Sequence, residues 1–216
     1  MSITVKICGI TRVEDAVAAV EAGAELLGLN FYSGSPRCIP LERAQEIAAA
    51  VSGRAMLVGV FVNAPVSDVL AVARAVPLKL IQLHGEEDAD DLRAIARHFP
   101  VLRSLKADAS LAAAQPAQFA NCSGVLVDTS TAQRGGSGVA FDWTQINWTA
   151  LRRSIAPAKL LLAGGLNASN VGAAIAASRP DAVDVASGVE VAKGIKGAEL
   201  MREFVAAVRA AERQLL

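Results

Sequence analysis

Cys8 and Asp128 are the residues whose type and placement most readily suggest a reaction, because each closes a short apolar run. Cys8 follows Ile3–Ile7 and precedes Gly9, a position from which a thiol can act as nucleophile or base. Thr4, Lys6 and Cys8 share parity, so Lys6 should lie beneath Cys8 in a sheet interior and lower the pKa of its thiol. The competing reading is an inert buried cysteine. Asp128 ends Val125-Leu126-Val127, where an apolar surrounding raises a carboxyl pKa and makes it a proton donor. Its competing reading is a turn cap acting through Thr129.

Arg37, in Ser35-Pro36-Arg37, offers a planar fork for a substrate carboxylate; the alternative is a solvated loop arginine. His84 ends Gln82-Leu83-His84-Gly85. The only other histidine is His98, so no paired-histidine metal motif exists and no metal is expected. Gly164-Gly165 and Ser187-Gly188 each follow an apolar run, and the first leads into a helix expected to start near Ala168. Glycines let backbone N–H groups approach an oxyanion, so these loops are read as a phosphate site, although tight turns alone would also use them. Asp184 lies just before the second loop. No glycine fingerprint for a dinucleotide or ATP is present, and no cofactor is expected.

These residues need a scaffold that gathers strand ends. Apolar, β-rich runs recur at Ile3–Ile7, Leu26–Phe31, Met56–Val62, Lys79–Leu83, Val101–Leu105, Gly124–Val127, Lys159–Leu162 and Ala182–Val185, as expected for buried parallel strands. Helical periodicity fills the gaps at Val13–Ala22, Leu41–Val51, Val66–Val76, Glu87–Phe99, Asp142–Ser154, Ala168–Ser178 and Ala198–Gln214. Ser110–Phe119 contains Pro116 and predicts only a short, irregular helix. The alternation predicts an α/β fold, a single (β/α)8 TIM barrel spanning residues 1–216, with an open doubly wound sheet as the alternative. In such a barrel the site is built at the C-terminal ends of the strands, where Cys8, Asn30, Asn63, His84, Asp128, Gly164 and Asp184 all fall. The glycine-rich Arg134–Gly138 stretch is expected to be a long loop after the sixth strand.

Composition narrows the class further. The 216 residues are 53% hydrophobic, enough for a sizeable core, and 21 basic residues balance 21 acidic ones. That neutrality predicts a small-molecule partner, with neither nucleic acid nor membrane bound. Three cysteines form no framework, and the start has no charged stretch leading into a long apolar one, so a cytoplasmic chain is expected. Cys38 and Cys122 are read as structural. A monomer is preferred, with a homodimer as the alternative.

Taken together, the motifs resemble those of the phosphoribosylanthranilate isomerase family. The resemblance rests on Lys6-Ile7-Cys8-Gly9-Ile10-Thr11, Asn30-Phe31 through Ser35-Pro36-Arg37, Val58-Gly59-Val60-Phe61-Val62-Asn63 and Ile81-Gln82-Leu83-His84-Gly85. It continues through Leu126-Val127-Asp128-Thr129, Gly135-Gly136-Ser137-Gly138 with Phe141-Asp142-Trp143, Ala163-Gly164-Gly165-Leu166 and Val183-Asp184-Val185-Ala186-Ser187-Gly188-Val189-Glu190. It implies a cofactor-free Amadori rearrangement in tryptophan biosynthesis, converting N-(5′-phosphoribosyl)anthranilate to 1-(2-carboxyphenylamino)-1-deoxyribulose 5-phosphate. It further implies Cys8 as general base, Asp128 as general acid, Arg37 and His84 at the anthranilate end, and Gly164, Gly165, Ser187 and Gly188 at the phosphate. Asp184 completes the expected substrate-binding set. Ala163 and Ala186 depart from serines common in the family, and Gly197 from an aspartate. Two other readings are weighed. A related phosphosugar barrel would carry two aspartates or metal-binding histidines; a silent binding protein would lack the acid or the base.

Overall fold

A computed structural model describes residues 2–107, 111, 116–128 and 143–215. Eight parallel strands close a barrel in chain order: β1 (Thr4–Cys8), β2 (Leu26–Asn30), β3 (Met56–Phe61), β4 (Leu80–Leu83), β5 (Val101–Lys106), β6 (Gly124–Asp128), β7 (Lys159–Ala163) and β8 (Ala182–Val185). β1 pairs with both β2 and β8, which completes the circle and rules out the open sheet. Each strand lies within a residue or two of the expected run. Cys8 and Asp128 are the last residues of β1 and β6.

The helices are α1 (Val13–Ala22), α2 (Leu41–Ala50), α3 (Val66–Ala75), α4 (Ala89–Ala96), α5 (Trp148–Ile155), α6 (Val171–Ser178) and α7 (Ala198–Gln214). Their ends follow local chemistry. Gly23, at φ 100°, closes α1 in the left-handed conformation that glycine tolerates. Pro40 and Pro65 stand at the starts of α2 and α3. Asp88 caps α4 by accepting from the N–H groups of Asp90 and Asp91, bonds that hold its carboxyl below the ordinary range.

Three helices differ from expectation. α4 begins after Glu87, because that carboxylate is buried and accepts from the N–H groups of Asn63 and Gly85 instead. α5 begins at Trp148, behind the cap Asn147 and a 3-10 turn at Trp143–Gln145; Asp142, the expected start, lies outside the described residues. α6 begins at Val171 rather than near Ala168. Asn167 accepts from the Ser169 N–H, and Asn170 accepts from the Asn167 N–H while donating to the Gly165 carbonyl. Such side-chain bonds hold the backbone in turns and delay the helix. In the fifth unit a 3-10 turn at Pro116–Phe119 starts on the proline. Ser110, Thr129 and the Arg134–Gly138 stretch lie outside the described residues.

Two apolar layers hold the barrel. The larger lies between strands and helices, where Ile7, Leu29, Ile81 and Val127 meet Ala16, Ile47, Ile95 and Phe204. The smaller fills the inside of the barrel with Leu26, Val58, Leu102, Leu126, Leu161, Ala163 and Ala182. Burying each of these leucines contributes about 1.5–3 kcal/mol. Residues of the same parity further along the strands project inward at the C-terminal mouth. Among the described residues no helix is long and apolar enough to cross a membrane.

Candidate active site

Lys6 is fully buried, and its ammonium donates to Asp184 Oδ2 at 2.8 Å across the neighbouring β1 and β8. Cys8, partly exposed, lies two residues further along β1 on the same side, close enough for the two groups to act on each other's charge. Lys6 thus lies beneath Cys8, as the shared parity predicts. Burial works against the charge on Lys6, but Asp184 and Cys8 outweigh it, and its pKa stands above the ordinary value. For Cys8 the balance corrects the expectation: burial pushes the thiol up, Lys6 pulls it down, and Asp184 pushes it up again. The thiol ends above its ordinary 9.0. Lys6 spends much of its charge on Asp184.

The acid side lies on β4 and β6. His84 Nε2 stands 3.9 Å from Asp128 Oδ2. Gln82, buried on β4, donates from Nε2 to His84 Nδ1 and to Ser104 Oγ, both at 3.1 Å. With the amide so oriented, Nδ1 accepts and the imidazole proton belongs on Nε2, the nitrogen that faces Asp128. Among the described residues, Gln82 Oε1 and Asp184 Oδ1 are buried without a hydrogen-bond partner, so the mouth keeps unused acceptors. Cys8 and Asp128 occupy β1 and β6, three strands apart around the mouth.

Arg37 is partly buried and ion-paired rather than a solvated loop arginine. Its Nε and Nη2 donate to the two oxygens of Glu190, both at 2.7 Å. Glu190 also accepts from the buried Lys196, whose ammonium lies 2.9 Å from Oε1 and donates to the Ala186 carbonyl. Burial works to raise the Glu190 carboxyl, and the bonds from Arg37 and Lys196 outweigh it, leaving it charged and below the usual range. Glu190 and Lys196 come from a small antiparallel hairpin, β9 (Glu190–Ala192) and β10 (Ile195–Lys196), inserted between β8 and α7.

The two glycine loops meet. A Cβ on Gly188 would stand 1.9 Å from the Leu166 carbonyl oxygen, so the loops after β7 and β8 are packed backbone to backbone. Gly164 and Gly165 have φ of 93° and 65°, and the space over a Cβ at Gly165 is open to 4 Å. Ser187–Val189 forms a 3-10 turn, in the place where barrels of this kind often carry a short extra helix at a phosphate site. α6 starts too late for Gly165 to be at its N-terminus, so the N–H groups of the first loop belong to a turn.

Several rim residues have local roles instead. Asn30 accepts from the Tyr32 N–H and donates to Ser35 Oγ, and Asn63, at φ 50°, accepts from the Glu86 N–H. Cys38 is exposed, while Cys122 is buried and pushed up to about 11 by that burial. Sequence reasoning passes over Gly28, Gln82, Glu190 and Lys196 as members of the site. A usable signal existed for Gly28: a lone glycine within an apolar strand marks close approach of another group. Among the described residues, no group of three or more His, Cys, Asp or Glu is placed to hold a metal ion.

Comparison with known proteins bears on the family and the fold. The model of the family described as N-(5′-phosphoribosyl)anthranilate (PRA) isomerase matches residues 5–207. The N-(5′-phosphoribosyl)anthranilate isomerase of Stutzerimonas stutzeri is 46% identical over 206 residues, covering 94% of this chain and 96% of that protein. The crystal structure of phosphoribosyl anthranilate isomerase from Thermotoga maritima superposes with a TM-score of 0.85 at 38% identity, over 96% of this chain and 99% of the other. A phosphoribosyl anthranilate isomerase crystallised with reduced 1-(o-carboxyphenylamino)-1-deoxyribulose 5-phosphate gives 0.82 at 35% identity, over 96% and 99%.

Proposed function

The chain belongs to the N-(5′-phosphoribosyl)anthranilate isomerase family and is an isomerase, and from that premise we propose how its own residues divide the reaction. The substrate is N-(5′-phosphoribosyl)anthranilate, an intermediate of tryptophan biosynthesis. Asp128 protonates the ring oxygen as the C1′–O bond breaks, which opens the sugar to an iminium. Cys8 then removes the proton from C2′, and the enolamine so formed takes a proton at C1′ while its C2′ hydroxyl gives one up to become the carbonyl of 1-(2-carboxyphenylamino)-1-deoxyribulose 5-phosphate. C2′ and its hydroxyl each lose a hydrogen while the ring oxygen and C1′ each gain one, so atoms and electrons balance without a cofactor.

The rest of the mouth binds and orients. The Arg37 guanidinium holds the anthranilate carboxylate, with His84 at the same end beside Asp128. The Gly164-Gly165 and Ser187-Gly188 loops hold the phosphate through backbone N–H groups; Ala163 and Ala186 offer no hydroxyl there, so the backbone carries that affinity. Asp184 offers its unpartnered Oδ1 to a sugar hydroxyl. A thiol pushed up by burial suits a base that ionises late. The cationic iminium beside Cys8 acts in the same direction as Lys6 and brings the thiol down, so that its proton leaves to solvent and the thiolate takes the one from C2′.

The observation that carries this reading is the seating of Cys8 on the buried Lys6–Asp184 pair, with Asp128 and His84 together across the mouth. The test is Cys8→Ala and Asp128→Asn, followed by the fluorescence loss of substrate generated in situ. Both variants should lose turnover yet bind the reduced product analogue. Full activity in either one overturns the assignment.

A further inference from the structure

A guanidinium has two edges that can each take a carboxylate: the side formed by Nε and Nη2, and the end formed by Nη1 and Nη2. In Arg37 the side edge is taken by Glu190 through two 2.7 Å bonds. Among the described residues, no hydrogen bond is made by Nη1. Free arginine side chains sample many rotamers, and ordering one costs affinity when a ligand must do it. Here the ordering is done beforehand.

Glu190 is itself immobilised. Its side chain is 6% exposed and accepts from Lys196, which is fully buried and tied to the Ala186 carbonyl at the end of β8. On the other flank the stem of Arg37 crosses Gly9, where a Cβ would stand 2.3 Å from Arg37 Cδ. The stem is therefore guided by β1 and the head by the β9–β10 hairpin. The same hairpin begins two residues after Gly188, so the fixture joins the phosphate loop to the arginine.

We propose that Glu190, held by Lys196, is a positioning residue that presents the end edge of Arg37 to the substrate carboxylate and so sets selectivity for a carboxylated aryl group. This rests on the assignment of Arg37 to that carboxylate. Glu190→Gln keeps the size but not the charge. Its amide has one acceptor oxygen for two cations, and its NH2 faces donors, so the arginine head loses one of its two bonds.

The experiment measures binding of two ligands: the reduced product analogue and its phenylamino counterpart, which lacks only the carboxylate. Glu190→Gln should weaken the carboxylated ligand roughly 10- to 100-fold and leave the other within about twofold. Arg37→Met should weaken the carboxylated ligand at least as much, and the double variant should lose nothing further. If Arg37→Met binds both ligands like the parent, the assignment of Arg37 fails, and this proposal with it. If Arg37→Met is selective but Glu190→Gln is neutral, or weakens both ligands alike, the positioning role alone is overturned. Should Glu190→Gln not fold, Glu190→Asp keeps the charge and shortens the reach. A smaller loss confined to the carboxylated ligand supports the proposal; an equal loss for both overturns it.

Discussion

Gly28 lies against Cys8 so closely that a Cβ on it would stand 2.6 Å from the cysteine Sγ and 3.0 Å from its Cα. The two residues are register partners in β1 and β2, and the Gly28 carbonyl accepts from the N–H groups of Gly9 and Ile10. The backbone is thus pinned on both sides, and only the thiol can give way. Gly28→Ala should displace Sγ and lower kcat by about 10- to 100-fold, since a shift near 1 Å at a reacting atom has that effect. Overpacking should cost about 1–3 kcal/mol in urea unfolding. The product analogue should bind nearly as before; lost binding with kcat intact would contradict the role assigned to Gly28.

Lys6 and Asp184 predict an asymmetric stability pattern. Their side chains are 0% and 8% exposed, so removing one partner strands a charge in the barrel interior. Lys6→Met should cost about 3–5 kcal/mol, whereas Lys6→Met with Asp184→Leu should recover most of that loss. Urea midpoints of both variants check this. Equal stability of the single and double variants would show that water reaches the pair.

How much of this was legible beforehand depends on what each residue answers to. Strand positions were readable because parallel strands buried on both faces are apolar nearly throughout, as in Leu26–Asn30 and Gly124–Asp128. Lys6 under Cys8 followed from parity alone. The start of α6 was not readable, since Asn167 and Asn170 delay it through side-chain bonds that periodicity does not see. The Arg37–Glu190 pair spans 153 positions and depends on a hairpin of two and three residues, too short to leave a pattern. The direction of the Cys8 shift is not readable for a related reason: sequence places a lysine nearby but not the burial that outweighs it.

The glycine loops predict two different losses. Gly188→Ala puts a Cβ 1.9 Å from the Leu166 carbonyl oxygen, so the loops after β7 and β8 must part. Affinity for inorganic phosphate should fall roughly tenfold or more, together with a loss of about 1–3 kcal/mol in stability. Gly165→Ala meets nothing within 4 Å but carries φ 65°. Its cost should be the backbone strain of about 1–2 kcal/mol, and its methyl would project into the open space proposed for phosphate. Phosphate titration and urea unfolding of the two variants separate the effects; unchanged phosphate affinity in both would remove these loops from the site.

The raised thiol of Cys8 gives the pH prediction. Its folded pKa lies above the ordinary 9.0, with burial as the largest cause. The thiol is therefore protonated in the free protein at neutral pH, and the rate of alkylation by iodoacetamide should climb with an apparent pKa above 9.0. Lys6 lowers this thiol more than Asp184 raises it, so replacing both with Met and Leu should move the alkylation curve further to alkaline pH. Linkage fixes the sign for stability. A group that holds its proton more tightly when folded contributes stability that is fully present below the unfolded pKa and is lost as pH rises through the folded one. The stability difference between the parent and Cys8→Ala should accordingly shrink above pH 9.0 and stay flat below it. An alkylation pKa below 9.0 would mean that the Lys6 ammonium, not burial, governs the thiol, and that the base is ionised before substrate arrives.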